Sequence, residues 1–212
     1  MNKVNMSGTE GFWARIRAAL GRNADAHVPA YGKAEIASNP NKKSRTAQRI
    51  DEEMRRAWTH CAERNVSLCV MALEMDGYVD YFAAYGRDMV EDMLATVEQL
   101  VTGLLPTEAC HCLRNGRAGF TLVLPDMPAL MARQLAGSMA SAIRQAGLPN
   151  RESHAGQVTF STGISVVNPR DKFDRAVLTA AAQAVAKAQR RGLARLEITD
   201  LRGQPEKRRK AA

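Results

Sequence analysis

Apolar residues recur at helical spacing in four stretches of the chain. In the first, Ile50, Met54, Trp58 and Cys61 share one face, which predicts a helix over residues 45–64. The same spacing predicts helices over residues 87–103, 128–146 and 174–191. Glycine and proline residues follow the last two stretches, as they commonly do where a helix ends.

Strand-like runs lie between these helices. V-S-L-C-V-M-A-L-E-M (66–75) is almost wholly apolar, which is typical of a buried central strand. Further strands are predicted over 157–167 and 193–199, and residues 109–114 and 120–125 flank an Asn-Gly pair, a strong hairpin signal. The order of elements predicts an α+β fold of ferredoxin-like type, with a central, mostly antiparallel sheet and helices packed on it.

The two ends of the chain differ in composition from this part. Residues 1–44 contain a short amphipathic stripe (Phe12, Ile16, Leu20) and the linker-like A-S-N-P-N-K-K-S. We therefore predict an N-terminal extension (1–44), one domain (45–200) and a basic, disordered tail (201–212). Neither an apolar run long enough to span a membrane nor a signal-peptide pattern is present, so we expect a cytoplasmic location.

The net charge of +8 raises the question of nucleic-acid binding. Much of this charge lies in the two end segments, and aromatic residues make up only 5% of the chain, fewer than a base-stacking surface needs. We therefore do not expect a nucleic-acid partner. Cys110, His111 and Cys112 alternate along a predicted strand, so the thiols would face away from the imidazole. We interpret these cysteines as buried strand residues rather than metal ligands.

Four short motifs follow one another in an order that resembles the GGDEF domain, the diguanylate cyclase family. They are E-M-D-G-Y-V with F-A-A-Y-G-R-D-M-V-E (74–91), R-N-G-R-A-G-F (114–120), V-T-F-S-T-G (158–163) and A-A-Q-A-V-A-K-A-Q-R-R-G-L-A (181–194). The resemblance covers residues 40–200. It implies a nucleotide-cyclase palm in which the hairpin carries the signature motif. It also implies the family reaction, which joins two GTP molecules into cyclic di-GMP across a dimer.

The signature motif is degenerate. The family pattern is R-Y-G-G-D-E-F, so Ala118 and Gly119 stand in the places of both acidic residues. Gly116, Arg117 and Phe120 complete the loop, and we expect no catalytic residue in it. Carboxylates are the groups that would hold a catalytic metal ion there.

Two acidic residues remain at the end of the predicted central strand. By the resemblance, Glu74 replaces the first Asp of the family's D-x-D motif and Asp76 keeps the second. They would bind Mg²⁺ or Mn²⁺ together with GTP if the site is retained, because phosphates can supply the remaining ligands. Otherwise we expect no cofactor.

The positions that bind the nucleotide in the family have also changed. The Asn that contacts the base is Phe82, which we interpret as a core residue, and the following Asp is Glu91. By the resemblance, Val79, Gln189 and Leu193 stand where the family has Lys or Arg residues. A retained nucleotide site would consist of Phe82, Glu91, Arg117, Lys187 and Arg190.

These substitutions leave three interpretations. The first is an inactive GGDEF domain that acts as a regulatory or protein-interaction module in cyclic di-GMP signalling, with a protein partner, and with GTP or a second copy as further candidates. The alternative is a diverged, weakly active cyclase that uses Glu74 and Asp76 for metal. The third is a binder of nucleic acid or of anionic surfaces through the basic ends, which predicts steeply salt-dependent binding.

Overall fold

The computed structural model describes residues 45–203. The predicted N-terminal extension, with its amphipathic stripe, and residues 204–212 of the predicted tail lie outside this range. No helix among the described residues is long and apolar enough to cross a membrane.

Helices and strands alternate along the described chain, except that two strands of a hairpin follow one another. Their bounds are α1 (Arg45–Arg64), β1 (Leu68–Met75), α2 (Tyr78–Thr102), β2 (His111–Asn115), β3 (Gly119–Pro125), α3 (Ala129–Ala146), β4 (Phe160–Val167), α4 (Ala176–Arg190) and β5 (Leu196–Asp200).

The strands form one sheet in the order β2-β3-β1-β4-β5. The apolar strand β1 is central and antiparallel to both β3 and β4, and β5 is parallel to β4. The predicted α+β fold with a mostly antiparallel sheet is confirmed. The register places Glu74 opposite Gly119 on one side and opposite Ser161 on the other.

Both faces of the sheet are covered, because side chains alternate along each strand. On one face, Met71 and Leu73 of β1 pack in a core with α2 and α3. On the other face, Val70 and Ala72 pack with Trp58 of α1 and with α4. Since both faces of β1 are buried, its sequence is continuously apolar rather than alternating.

Helix α2 differs from the prediction. It begins at Tyr78, well before the predicted start at residue 87, and it contains a break at Gly86. Gly86 has φ 77° and ψ 179°, a conformation that only glycine adopts readily. The helical spacing is interrupted there, so the pattern revealed only the second part of the helix. The first part, Tyr78 to Tyr85, stands at the end of β1.

The predicted hairpin is present and is closed by three residues rather than by a two-residue turn. Asn115 pairs with Gly119, and Gly116 takes a positive φ of 64° at the first position of the loop. The carbonyl of Ala118 accepts a hydrogen bond of 3.0 Å from the backbone N–H of Met75. The signature loop is therefore joined to the end of β1.

Gly163 is the point of closest approach between β4 and α4. A Cβ atom there would lie 2.2 Å from the backbone nitrogen of Val185 and 2.3 Å from the carbonyl oxygen of Ala181. The helix can rest on the strand only because this position has no side chain. The glycine of the V-T-F-S-T-G motif thus has a packing role.

We expect Gly163→Ala to destabilise the domain by about 3 kcal/mol or more, because backbone atoms of α4 cannot give way as a flexible side chain would. Urea unfolding would measure the change. Gly137→Ala is the matched control: Gly137 is exposed in α3, and an added Cβ meets nothing within 4 Å. That variant should be more stable, by up to about 1 kcal/mol. Equal stability of the two variants would contradict the close approach.

Candidate functional site

Glu74 lies at the end of β1, against the hairpin. A Cβ atom at Gly119 would lie 3.2 Å from the Cγ of Glu74 and 3.0 Å from the carbonyl oxygen of Leu73. The lack of a side chain at Gly119 therefore leaves room for Glu74 beside the loop. A longer residue at this place would require the loop or Glu74 to shift.

The Glu74 carboxylate is half-buried, and it makes no hydrogen bond or ion pair within residues 45–203. Burial raises its pKa, because the charged form loses hydration without gaining a partner. Glu74 is thus the one member of the D-x-D pair whose oxygens are not already bonded to the described part of the protein.

Asp76 has the opposite environment. It is 5% exposed, and its oxygens accept hydrogen bonds from the hydroxyls of Thr159 (2.8 Å) and Ser161 (2.7 Å) and from the backbone N–H of Ala194 (2.9 Å). A buried carboxylate needs such donors to offset its lost hydration. The three bonds join the end of β1 to β4 and to the loop between α4 and β5.

Residues on α4 at or near the positions where the family has cations also form bonds within the protein. Gln189 donates a hydrogen bond of 3.4 Å to the carbonyl of Met75. Lys187 forms an ion pair of 3.1 Å with Glu197 of β5, which also pairs with Arg191. Arg190 is exposed on α4. Of the predicted cations on α4, Lys187 is thus paired with β5 and Arg190 faces solvent.

A pocket of about 540 Å³ lies between α2 and the hairpin. The first part of α2 forms one wall and the signature loop forms the other. The lining residues are Tyr78, Val79, Phe82, Arg87, Val90, Glu91, Leu94, Arg114, Gly116, Arg117 and Gly119.

Charged groups in the pocket fall into two kinds. Arg114 forms an ion pair of 2.5 Å with Glu91, and its guanidinium lies 5.7 Å from the centre of the Phe120 ring. Arg87 and Arg117 make no ion pair or hydrogen bond within residues 45–203. The wall therefore carries one neutralised pair and two cations that are free within the described domain.

The interpretation of Phe82 as a core residue is wrong. Its side chain is 42% exposed and lines the pocket, with its ring centre 5.8 Å from that of Tyr78. The reason is the early start of α2: Tyr81 takes the buried position, and Phe82, one residue later, faces outward.

The structure brings together only some of the predicted nucleotide-site residues. Phe82, Glu91 and Arg117 line the pocket, whereas Lys187 and Arg190 do not. Neither Glu74 nor Asp76 lines it. Val79, Arg87 and Arg114 were missed as members of the wall, although Val79 and Arg87 lie close in sequence to Phe82. A helix assigned from residue 78 would have revealed Val79 and Arg87, whereas Arg114 belongs to β2 and is brought to the wall only by the fold.

The alternation predicted for the Cys-His-Cys run is present, although Cys110 is buried just before β2 and Cys112, within β2, is only partly buried. Cys110 and Cys112 pack on the core with α2 and α3, and burial raises the pKa of Cys112 to about 12. The imidazole of His111 points the other way, 3.5 Å from Glu53 of α1. No group of three His, Cys, Asp or Glu side chains that could hold a metal ion occurs within residues 45–203.

The sheet order and the helices on both faces define an α+β domain of the nucleotide-cyclase palm type. A family model described as "Diguanylate cyclase, GGDEF domain" matches residues 45–195. The chain therefore belongs to the GGDEF family. No curated protein matches the sequence.

Solved structures of similar fold include the active GGEEF domain of a diguanylate cyclase from Vibrio cholerae. It is 19% identical with a TM-score of 0.61, over 71% of this chain and 94% of that one. DgcB from Caulobacter crescentus, in complex with c-di-GMP, is 20% identical (TM-score 0.62, 72% and 80%). SiaD from Pseudomonas aeruginosa, in complex with its activator SiaC, is 17% identical (TM-score 0.64, 90% and 67%).

We expect Asp76→Ala to destabilise the domain by more than about 3 kcal/mol, because it leaves the hydroxyls of Thr159 and Ser161 and the N–H of Ala194 without their acceptor. Asp76→Asn should cost roughly half as much, since an amide can accept two of these bonds and donate the third. Urea unfolding provides the comparison, with Glu63→Ala, an exposed change in α1, as control. If Asp76→Ala unfolded at the same urea concentration as the wild type, the stabilising role of the hydrogen bonds to Asp76 would be contradicted.

We expect Glu74→Gln to stabilise the fold at neutral pH. The pKa of Glu74 is raised in the folded state, so its ionised form costs stability above that pKa and costs nothing once the group is protonated in both states. The advantage of the variant should shrink as the pH falls to and below 4.5, the ordinary value for a Glu carboxyl. Thermal unfolding of the variant and the wild type between about pH 4 and pH 8 measures this difference in stability. Glu108→Gln, at an exposed site, is the control; a pH-independent difference would exclude Glu74 as the cause.

Proposed function

We propose that this chain is a GGDEF domain without diguanylate cyclase activity, and that it acts as a regulatory or protein-interaction module in cyclic di-GMP signalling. The observation that carries the proposal is the environment of the two remaining acidic residues. Asp76 is bonded to the interior through three donors, and Glu74 faces a loop that offers Ala118 and Gly119 in place of carboxylates.

The donor set does not fit a resident Mg²⁺ or Mn²⁺ ion. Such ions require several oxygen ligands in near-octahedral geometry. Of Glu74 and Asp76, only Glu74 has a carboxylate without a partner among residues 45–203, and it is half-buried. We therefore derive no catalytic step through a metal at this site.

The residues at the nucleotide-binding positions of the family support the same proposal. Glu91, at the place of a base-contacting Asp, is paired with Arg114, and Gln189, at the place of a cation, is bonded to Met75. Phe82 offers a ring in place of an amide. A nucleotide would have to compete with these internal bonds for its contacts.

A protein partner is the class of ligand that we favour. SiaD, one of the proteins of similar fold, is bound by an activator protein. GTP or a second copy of this chain would be further partners of such a module. The alternative function is a diverged, weak cyclase that uses Glu74, and the following experiment separates the two.

Full-length protein incubated with GTP and either Mg²⁺ or Mn²⁺ is expected to form no cyclic di-GMP above the level of its Glu74→Gln variant, as measured by chromatography of the nucleotides. The active GGEEF domain from Vibrio cholerae is the positive control. Product that is lost in Glu74→Gln would establish the weak cyclase and refute our proposal. Calorimetric titration with GTP would show in addition whether the module still senses the nucleotide.

A further inference from the structure

Two of the five exposed large apolar side chains within residues 45–203 line the pocket between α2 and the hairpin. Val79 is 74% exposed and Phe82 42%, and both line this pocket beside Tyr78. Within residues 45–203 the other large apolar side chains with comparable exposure are Leu130, Met131 and Leu193. An apolar surface that remains in contact with water is characteristic of a site that another molecule covers.

The same pocket carries an excess of positive charge. Arg87 and Arg117 lack ion pairs within the described domain, whereas Arg114 is neutralised by Glu91. The domain as a whole is nearly balanced, with 19 Lys and Arg residues against 18 Asp and Glu residues over 45–203. The positive charge is therefore a local property of this wall, and it selects for a partner with carboxylates.

We propose that the pocket is a docking site for an acidic segment of a partner protein. Large apolar side chains of that segment lie against Tyr78, Val79 and Phe82, and its carboxylates meet Arg87 and Arg117. Aromatic and arginine side chains of this kind dominate the affinity of protein interfaces. The volume of about 540 Å³ lies within the range of pockets that enclose small ligands or side-chain anchors.

This inference rests on the proposed function, since a pocket used for nucleotide turnover would not be free for a protein segment. The charge of the chain's own residues 1–44 does not complement that of the pocket. Residues 1–44 hold seven Lys and Arg residues against three Asp and Glu residues, so their charge has the same sign as that of the pocket. Like charges placed together oppose binding.

Selection from a library of short random peptides on the immobilised full-length protein tests the proposal. Enriched peptides are expected to combine Asp or Glu with Phe, Leu, Ile or Trp. A synthetic peptide of the enriched sequence should bind about tenfold more weakly to Phe82→Ser and to Arg117→Glu. Leu130→Ser is the matched control, because Leu130 is 68% exposed but lies on α3 outside the pocket wall. Binding to this control should be unchanged.

Enrichment of basic or uncharged peptides, equal binding to the pocket variants, or no enrichment at all would overturn the proposal. Sedimentation equilibrium tests for a second copy: a dimer that Phe82→Ser dissociates would also overturn it. An assay of the same preparations for cyclic di-GMP distinguishes failure of the proposed function from failure of the docking site. Product would refute the proposed function and this inference together, whereas missing peptide binding without product would refute the docking site alone.

Discussion

The buried carboxylate of Asp76 is the interaction on which the arrangement of the site depends. It lies where the central strand ends, and its hydrogen bonds hold β4 and the loop after α4 to that point. A charge in this position is tolerated only because donors surround it. The loop accepts an unusual backbone as a result: Ala194, which donates one of the bonds, has a φ of 53°, a conformation that costs a residue with a Cβ atom about 1 kcal/mol or more.

Glu74 has no such partner within residues 45–203, but several other polar groups of the site are paired inside the domain. Arg114 forms an ion pair with Glu91, Gln189 donates a hydrogen bond to the Met75 carbonyl, and Lys187 forms an ion pair with Glu197. These contacts hold the palm together through groups of the protein itself. Apolar side chains and two cations make up the surface that this arrangement leaves for other molecules.

Sequence reasoning predicted the fold well and the site only in part. The buried strand β1 and the hairpin carry signals that are local, an apolar run and an Asn-Gly pair, so both were found within a few residues. The first part of α2 was missed because Gly86 interrupts the helical spacing, and Phe82 was assigned to the core for the same reason. Partners such as those of Asp76 are distant in sequence, so only the fold reveals that its oxygens are engaged.

The break at Gly86 also has an electrostatic consequence. Peptide dipoles add along a continuous helix, so α2 behaves as two shorter dipoles in series rather than as one. The second part begins at Arg87, which lines the pocket, so the positive end of its dipole, equivalent to at most about half an elementary charge, lies there. The backbone therefore adds to the potential of the arginine side chains, and neutralising those side chains by mutation would reduce the positive field of the pocket without abolishing it.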